Sequence, residues 1–388
     1  MKAPGVVEEL ECKSLRRAIL DAITEVVDSG RYILGPEVEA FERCVAEYVG
    51  SGFAVGVSSG TDALLVSFMA LDLQPGDRVI TTPFSFFATA GAIARLGAVP
   101  VFADIDPLSF NMSPAALEEF AGDPKVKAVV PVHLYGQCAD MDAILELANQ
   151  QRWAVVEDAA QALGAEYPSV NGIRKAGSMG TFGAFSFFPS KNLGGMGDAG
   201  MVVTDDERLN RRLRLLRNHG AEPKYYHEFI GGNFRLDPIQ AAVLSVKLPH
   251  LDRWHRARRT NAERYHTLFS DSKLPAEGRL VPPPPVSVRA GEEGLLDHIY
   301  NQYVVRAPGD FRDPLRSFLS EAGIGTEVYY PVPFHLQKCF RHLGYEAGRF
   351  PETEKAAREV LALPIYPELT MEMQEYVVDC IVSFFGKT

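Results

Sequence analysis

The chain is short of the features that would take it to a membrane, a metal or a nucleic acid. No stretch approaches the run of apolar residues needed to span a bilayer. Its first residues, Met1-Lys2-Ala3-Pro4-Gly5, run into acidic positions without the apolar core of a secretion signal, so a cytoplasmic location is expected. Cysteine is scarce. The five present (Cys12, Cys44, Cys138, Cys339 and Cys380) are scattered, odd in number and without metal-ligand spacing, which reads as reduced thiols and no metal centre. Positive charge is in deficit: 39 Lys and Arg against 50 Asp and Glu leave a net charge of −11. That balance argues against nucleic acid or an anionic membrane surface as a main partner. It does not exclude a nucleotide ligand, because a pocket can be locally basic. Internal repeats and low-complexity tracts are also missing.

What remains is an ordinary globular composition, 46% hydrophobic and 23% charged, over 388 residues. Such a length can bury a large core in two packed lobes. Leu15, Ile19, Leu20, Ile23, Val26 and Val27 form a helical stripe closed by Gly30. From residue 53 short apolar runs alternate with helical patterns. Strands are expected at 54–57, 78–82, 99–103, 128–133 and 153–157, with helices at 64–71 and 88–96 between them. This alternation predicts a mostly parallel, doubly wound α/β sheet. Near 170–204 the pattern turns hairpin-like, with strands at 181–188 and 200–204. Asp237-Pro238 is a helix start, aspartate as N-cap and proline at the first helical position. A long charged helix over 253–269 is expected to link the lobes, followed by a proline-rich connector over 271–290 and a smaller lobe of strands and helices.

Two segments carry chemistry. In Phe182–Gly197 an aromatic, strand-like run ends in Pro189-Ser190-Lys191 and a glycine-rich stretch. A lysine at the mouth of a buried strand is partly desolvated, which lowers its pKa and makes the amine a usable nucleophile toward an aldehyde. The alternative is a surface lysine that happens to follow a strand. About thirty residues earlier, Ala154–Glu157 reads as a buried parallel strand. It delivers Asp158 at its carboxyl end, where open α/β sheets bind ligands. A carboxylate there can hold a pyridinium nitrogen protonated; equally it can be the N-cap of a following helix. Ser59-Gly60-Thr61 opens a helix near Asp62, either as a phosphate site or as a plain cap.

The segments SGRYILGPEVEAFE (29–42), SSGTDALL (58–65), PFSFFATAGAI (83–93), VHLYGQCADM (132–141), VEDAAQALGA (156–165), FSFFPSKNLGG (185–195), RNHG (217–220), GGNFRLDPIQAAVL (231–244) and YYPVPFHLQ (329–337) follow one another along nearly the whole chain. Together they resemble the fold-type-I pyridoxal-phosphate enzymes and, within them, the DegT/DnrJ/EryC1/StrS sugar aminotransferases. The resemblance implies a large cofactor-binding domain over 1–250 and a smaller C-terminal α+β domain over 251–388. It implies pyridoxal 5′-phosphate bound through Lys191, with Asp158 as partner of the ring nitrogen. Gly60, Thr61 and Ser186 are implied at the cofactor phosphate. Phe86, or its neighbour Phe87, is implied on the ring face, and Gln161 at the phenolic oxygen. Asn233 is implied to reach the phosphate from the neighbouring subunit, which makes a homodimer with shared sites.

The same resemblance implies transfer of an amino group from an amino-acid donor, L-glutamate, to a keto group of a nucleotide-linked hexose. The nucleotide is dTDP or UDP and the position carbon 3 or carbon 4, with Tyr135-Gly136-Gln137 leaning toward carbon 3. His133, Tyr135, Tyr329, Tyr330 and His335 are placed beside the sugar, and Arg235 at the nucleotide phosphates or the dimer contact. Two other functions exist on this scaffold. Dehydratases using pyridoxamine phosphate replace the lysine by histidine, and Lys191 stands against them. A regulatory protein that only binds needs no such amine.

Overall fold

Strands that read as continuous apolar runs are buried on both faces in the computed structural model, which describes residues 10–284 and 295–387. Two helices lead the chain, α1 (Leu10–Ser29) and α2 (Pro36–Val49). Then come β1 (Phe53–Val57), α3 (Gly60–Ala70), β2 (Arg78–Thr81), α4 (Ala88–Arg95), β3 (Val99–Phe102), β4 (Val126–Val130), α5 (Met141–Gln151) and β5 (Ala154–Asp158). A two-stranded hairpin, β6 (Glu166–Ser169) with β7 (Gly172–Lys175), precedes β8 (Phe182–Ser186) and β9 (Gly200–Thr204). The large lobe ends in α6 (Glu207–Leu216) and α7 (Pro238–Lys247). The remainder is α8 (Leu251–Ser272), β10 (Tyr303–Arg306), α9 (Arg312–Glu321), α10 (Pro351–Glu359), β11 (Val360–Leu363) and α11 (Met371–Lys387). Met1–Gly5, the Cys12 side chain and the part of the expected connector from Pro285 to Ala290 lie outside the described residues.

The central sheet has seven strands in the order β1-β9-β8-β5-β4-β2-β3. Only β9 runs against its neighbours; the other pairings are parallel. The sheet is thus the mostly parallel one of fold type I. β8 and β9 are antiparallel partners, with Gly183 opposite Val203 and Ser186 opposite Gly200, and the loop joining them carries Lys191. Because the parallel strands share one direction, the segments that follow β1, β2, β4, β5 and β8 emerge along one edge. That edge collects Ser59, Phe86, His133, Asp158 and Lys191.

The small lobe packs α8, α9, α10 and α11 around the antiparallel pair β10–β11. α8 serves both cores. Leu251 and Trp254 join Phe41 and Phe187 in the large lobe, whereas Ala262, Tyr265 and Phe269 join Leu315 and Phe385 in the small one. Leu296 and Ile299 return to the large-lobe core. The lobes therefore share a helix and a second strand of contact, with no clean break in packing at residue 250. No helix among the described residues is long and apolar enough to cross a membrane.

Candidate active site

The loop after β8 is held from several sides. Lys191 N–H donates to the Phe188 carbonyl at 2.8 Å, closing a turn, and Gly195 N–H returns to the Phe187 carbonyl at 2.8 Å. From α7, Gln240 Oε1 accepts the Met196 N–H at 2.8 Å, and the buried Lys247 Nζ donates to the Gly194 carbonyl at 2.5 Å. A Cβ at position 194 would lie 2.2 Å from the Pro189 carbonyl oxygen, so only glycine allows this approach. The half-buried Lys191 is thereby fixed at the strand mouth. Burial pulls its pKa down to about 8, opposed by the attraction of the Asp158 carboxylate.

Asp158 ends β5 and is buried, with 5% of its surface exposed. No helix follows it, so the N-cap alternative is overturned: the chain turns through 159–164 instead. Its Oδ2 accepts a hydrogen bond from Thr89 Oγ1 at 2.7 Å, and Oδ1 a long one from Ala160 N–H at 3.3 Å. Burial raises its pKa, while the Thr89 and Ala160 hydrogen bonds and the charges of Lys191 and His133 pull it down. Thr89, fully buried at the start of α4, is a site residue the sequence did not disclose.

Beside it, Ser59 Oγ caps α3 by accepting the Asp62 N–H at 3.0 Å. Both readings of this turn survive, because the cap leaves the Gly60 and Thr61 amides at the helix N-terminus, where an anion is favoured. Ser186 is packed against this end: a Cβ on Gly60 would come within 2.6 Å of Ser186 Cβ. Phe86 is 58% exposed, and its ring meets Tyr330 at 6.2 Å between centroids. Phe87 is engaged elsewhere, edge-on to Phe334 and tilted on Phe340. Phe86 is thus the more open of the two rings.

Gln161 is held in one orientation. Its Oε1 accepts the Tyr135 N–H at 2.7 Å and its Nε2 donates to Tyr330 Oη at 3.2 Å. Tyr135 Oη donates to the Tyr329 carbonyl, tying the two strand-end segments together. Burial and the Asp158 charge push the Tyr330 hydroxyl pKa up, so it stays protonated at neutral pH.

Two histidines expected beside a substrate sit elsewhere. His133 is fully buried, with Nε2 on Glu157 Oε2 at 2.8 Å and Nδ1 accepting the Ala139 N–H at 3.1 Å. Both ring nitrogens are occupied, so His133 braces the ends of β4 and β5 and has no free nitrogen to offer. The Glu157 carboxylate also accepts the Gly177, Met179 and Gly180 N–H groups. His335 is buried too, bonded to Glu354 at 3.0 Å and packed on Phe350. Arg235 donates to Asn218 Oδ1 at 2.8 Å and pairs its backbone with Val57. Asn233 is exposed on the neighbouring loop.

A desolvated amine, a buried carboxylate, a helix N-terminus lined by glycine and serine, and an open aromatic face share one edge of the sheet. This set fits an aromatic aldehyde that carries a phosphate and a basic ring nitrogen. The family model of the DegT/DnrJ/EryC1/StrS aminotransferase family matches residues 13–382. A relative from Geobacillus stearothermophilus named "Pleiotropic regulatory protein" is 48% identical over 385 residues, covering 99% of this chain and 99% of its own. The dTDP-3-amino-3,4,6-trideoxy-alpha-D-glucose transaminase of Streptomyces venezuelae is 42% identical, covering 95% of this chain and 92% of its own. Among solved structures, the crystal structure of S. venezuelae DesV is similar with a TM-score of 0.90 at 40% identity, covering 99% of this chain and 98% of that one.

Proposed function

The chain belongs to the DegT/DnrJ/EryC1/StrS aminotransferase family and is a pyridoxal-phosphate-dependent sugar aminotransferase, and from that premise we propose that it aminates a nucleotide-linked keto-hexose. The donor on our reading is L-glutamate and the acceptor a dTDP- or UDP-linked sugar. Carbon 3 is favoured over carbon 4, on the Tyr135-Gly136-Gln137 turn and on the relative named for a 3-amino sugar. The observation that carries the reading is the Lys191 amine, brought to about 8 by burial, in one site with the buried Asp158.

Bound pyridoxal phosphate supplies an electron sink for the pair left at the donor's α-carbon. The residues of this chain do the rest. Gly60 and Thr61 amides and the Ser186 hydroxyl bind the phosphate, and Asn233 of a neighbouring subunit completes that cradle. Phe86 covers one ring face. The Asp158 carboxylate keeps a proton on the ring nitrogen, with Thr89 holding one of its oxygens. Gln161 Nε2 donates its second hydrogen to the phenolic oxygen. Neutral Lys191 Nζ takes the α-proton of the donor, and in the second half it gives a proton to the sugar carbon that receives nitrogen. Tyr329 and Tyr330 line the sugar side and exclude water.

The relative named as a regulatory protein favours a second reading, in which the scaffold only binds. A partly desolvated, activated amine has no use in that role. Incubating the purified protein with glutamate and a panel of dTDP- and UDP-linked keto-hexoses separates the two. Formation of 2-oxoglutarate and an amino sugar is expected. Cofactor that is bound yet unchanged by glutamate, with no acceptor aminated, would leave the regulatory reading standing.

A further inference from the structure

The wall that bears Tyr329 and Tyr330 is tied to the large lobe at the carboxyl end of β3. α10 has no cap of its own: Phe350 precedes it and offers no side-chain hydrogen bond to its first turn. The cap comes from Asp104, just past β3 in the other lobe. Its carboxylate accepts the Glu352 N–H at 3.1 Å, the Thr353 N–H at 3.0 Å and the Thr353 hydroxyl at 2.7 Å. An acceptor at a helix N-terminus satisfies amides that are otherwise unpaired and favours negative charge. Thr353 is fully buried, so its amide and hydroxyl have no water to turn to.

The same strand end is the hub of an aromatic cluster. Phe102, two residues before Asp104, meets Phe334, Phe340, Tyr345 and Phe350 at 5.5 to 6.3 Å between centroids. Phe334 N–H donates to the Pro83 carbonyl at 2.9 Å, three residues ahead of Phe86. On its far side α10 runs directly into β11, whose Ala362 exchanges backbone hydrogen bonds with Glu327. Tyr329 and Tyr330 meet Tyr135 and Gln161 directly, and their backbone is strung between two anchors, Glu327 on β11 and Phe334 on the aromatic cluster. The first anchor follows α10 through β11, and the second through His335, whose Nε2 meets Glu354 Oε1 of α10 at 3.0 Å beside Phe334.

We propose that Asp104 is a positioning residue for the sugar-facing wall: by capping α10 across the lobes it sets where Tyr329 and Tyr330 stand against Phe86 and Gln161. This rests on the reading that the wall faces the keto-sugar. Removing the cap leaves Lys191, Asp158 and Gly60 in place, because none of them depends on α10 for a contact. The donor half-reaction keeps its base, its ring-nitrogen partner and its phosphate end, and so loses less than the sugar half-reaction, which also needs the wall.

Asp104→Asn keeps the size of the side chain and turns part of it into a donor; Thr353→Val, a milder variant, removes the hydroxyl bond alone. Hydrogen exchange on the holoenzyme is expected to speed up about tenfold over residues 327–336 and 351–359 in Asp104→Asn, and less in Thr353→Val. Single-turnover reaction with glutamate is expected to stay within about twofold, while KM for the accepted keto-sugar nucleotide rises about tenfold. Unchanged exchange over 327–336 would overturn the proposal, as would equal losses in the two half-reactions. The exchange measurement needs no substrate, so it decides the role of Asp104 on its own; failure of every keto-sugar nucleotide with the unaltered enzyme would instead sink the substrate reading.

Discussion

Lys191 and Asp158 were legible as residues because each ends a run too apolar to be anything but a buried strand. Burial then sets their chemistry. In the ligand-free protein the Lys191 ammonium is disfavoured, so below about 8 the amine is protonated and unreactive, and above it neutral. Capture of added pyridoxal phosphate should therefore accelerate with a midpoint near 8 instead of near 10.5, followed by visible absorbance. Borohydride reduction and peptide mapping must place the label on Lys191; Lys191→Ala should abolish turnover with the fold intact. Asp158→Asn keeps a hydrogen bond but not the charge, and should retain cofactor while losing roughly a hundredfold or more in rate. Near-normal turnover would remove Asp158 from its role. Thr89 escaped notice because a threonine in Ala88-Thr89-Ala90-Gly91 carries no sequence sign of what it faces. Its hydroxyl stabilises the charged form of Asp158, so Thr89→Val should raise the Asp158 pKa further. The acid limb of the rate profile should then move to higher pH, and Thr89→Ser should restore it. A profile unchanged in Thr89→Val would show that the hydrogen bond does not tune Asp158. His133 was misleading for the converse reason. A histidine after a strand looks the same in sequence whether it faces a ligand or Glu157.

Elements read well wherever pattern and punctuation agreed. β1 and β3 are unbroken apolar runs, and β2, β4 and β5 keep an apolar centre around Arg78, Lys127 and Glu157; Asp237-Pro238 opens α7 as expected, although the aspartate side chain makes no cap bond. The β6–β7 hairpin was missed because Glu166-Tyr167-Pro168-Ser169 and Gly172-Ile173-Arg174-Lys175 are mixed in polarity, with a proline in the first strand. Its one signal was Asn171-Gly172, the glycine at φ 106°. The junction of α3 with β8 shows what an element boundary does for binding. Gly60 lets the helix N-terminus close on Ser186, where a methyl group would come within 2.6 Å of Ser186 Cβ. Gly60→Ala must push the helix end off β8 or distort it. Overpacking of this kind costs about 1–3 kcal/mol, and here it falls on the phosphate cradle. Pyridoxal phosphate affinity, measured by equilibrium dialysis, should drop roughly tenfold or more while far-ultraviolet circular dichroism is kept. Unaltered affinity would place the phosphate elsewhere.

For the whole molecule, the length allowed two packed lobes, but nothing in the sequence told how the chain is sewn together. That depends on single long-range contacts: α8 shared by two cores, and Asp104 capping a helix nearly 250 positions away. Another such feature bears on assembly. The loop between α6 and α7 exposes Ile230 at 94%, Tyr225 at 78% and Tyr226 at 70%, a cluster of large apolar side chains that a lone subunit leaves in water. Asn233 stands exposed on the same loop, and a second copy of the chain would cover both. We expect a homodimer in which Asn233 of each chain reaches the phosphate cradle of the other. Cofactor affinity and dimerisation are then linked by mass action, and dilution below the dimer dissociation constant should release cofactor. Complementation decides the matter. Lys191→Ala and an Asn233→Ala variant too weak to hold cofactor are each inactive as homodimers. A mixed dimer contains one site with Lys191 from one chain and Asn233 from the other, so activity should return on mixing. If subunit exchange is demonstrated and no activity appears, Asn233 serves its own chain or no site at all.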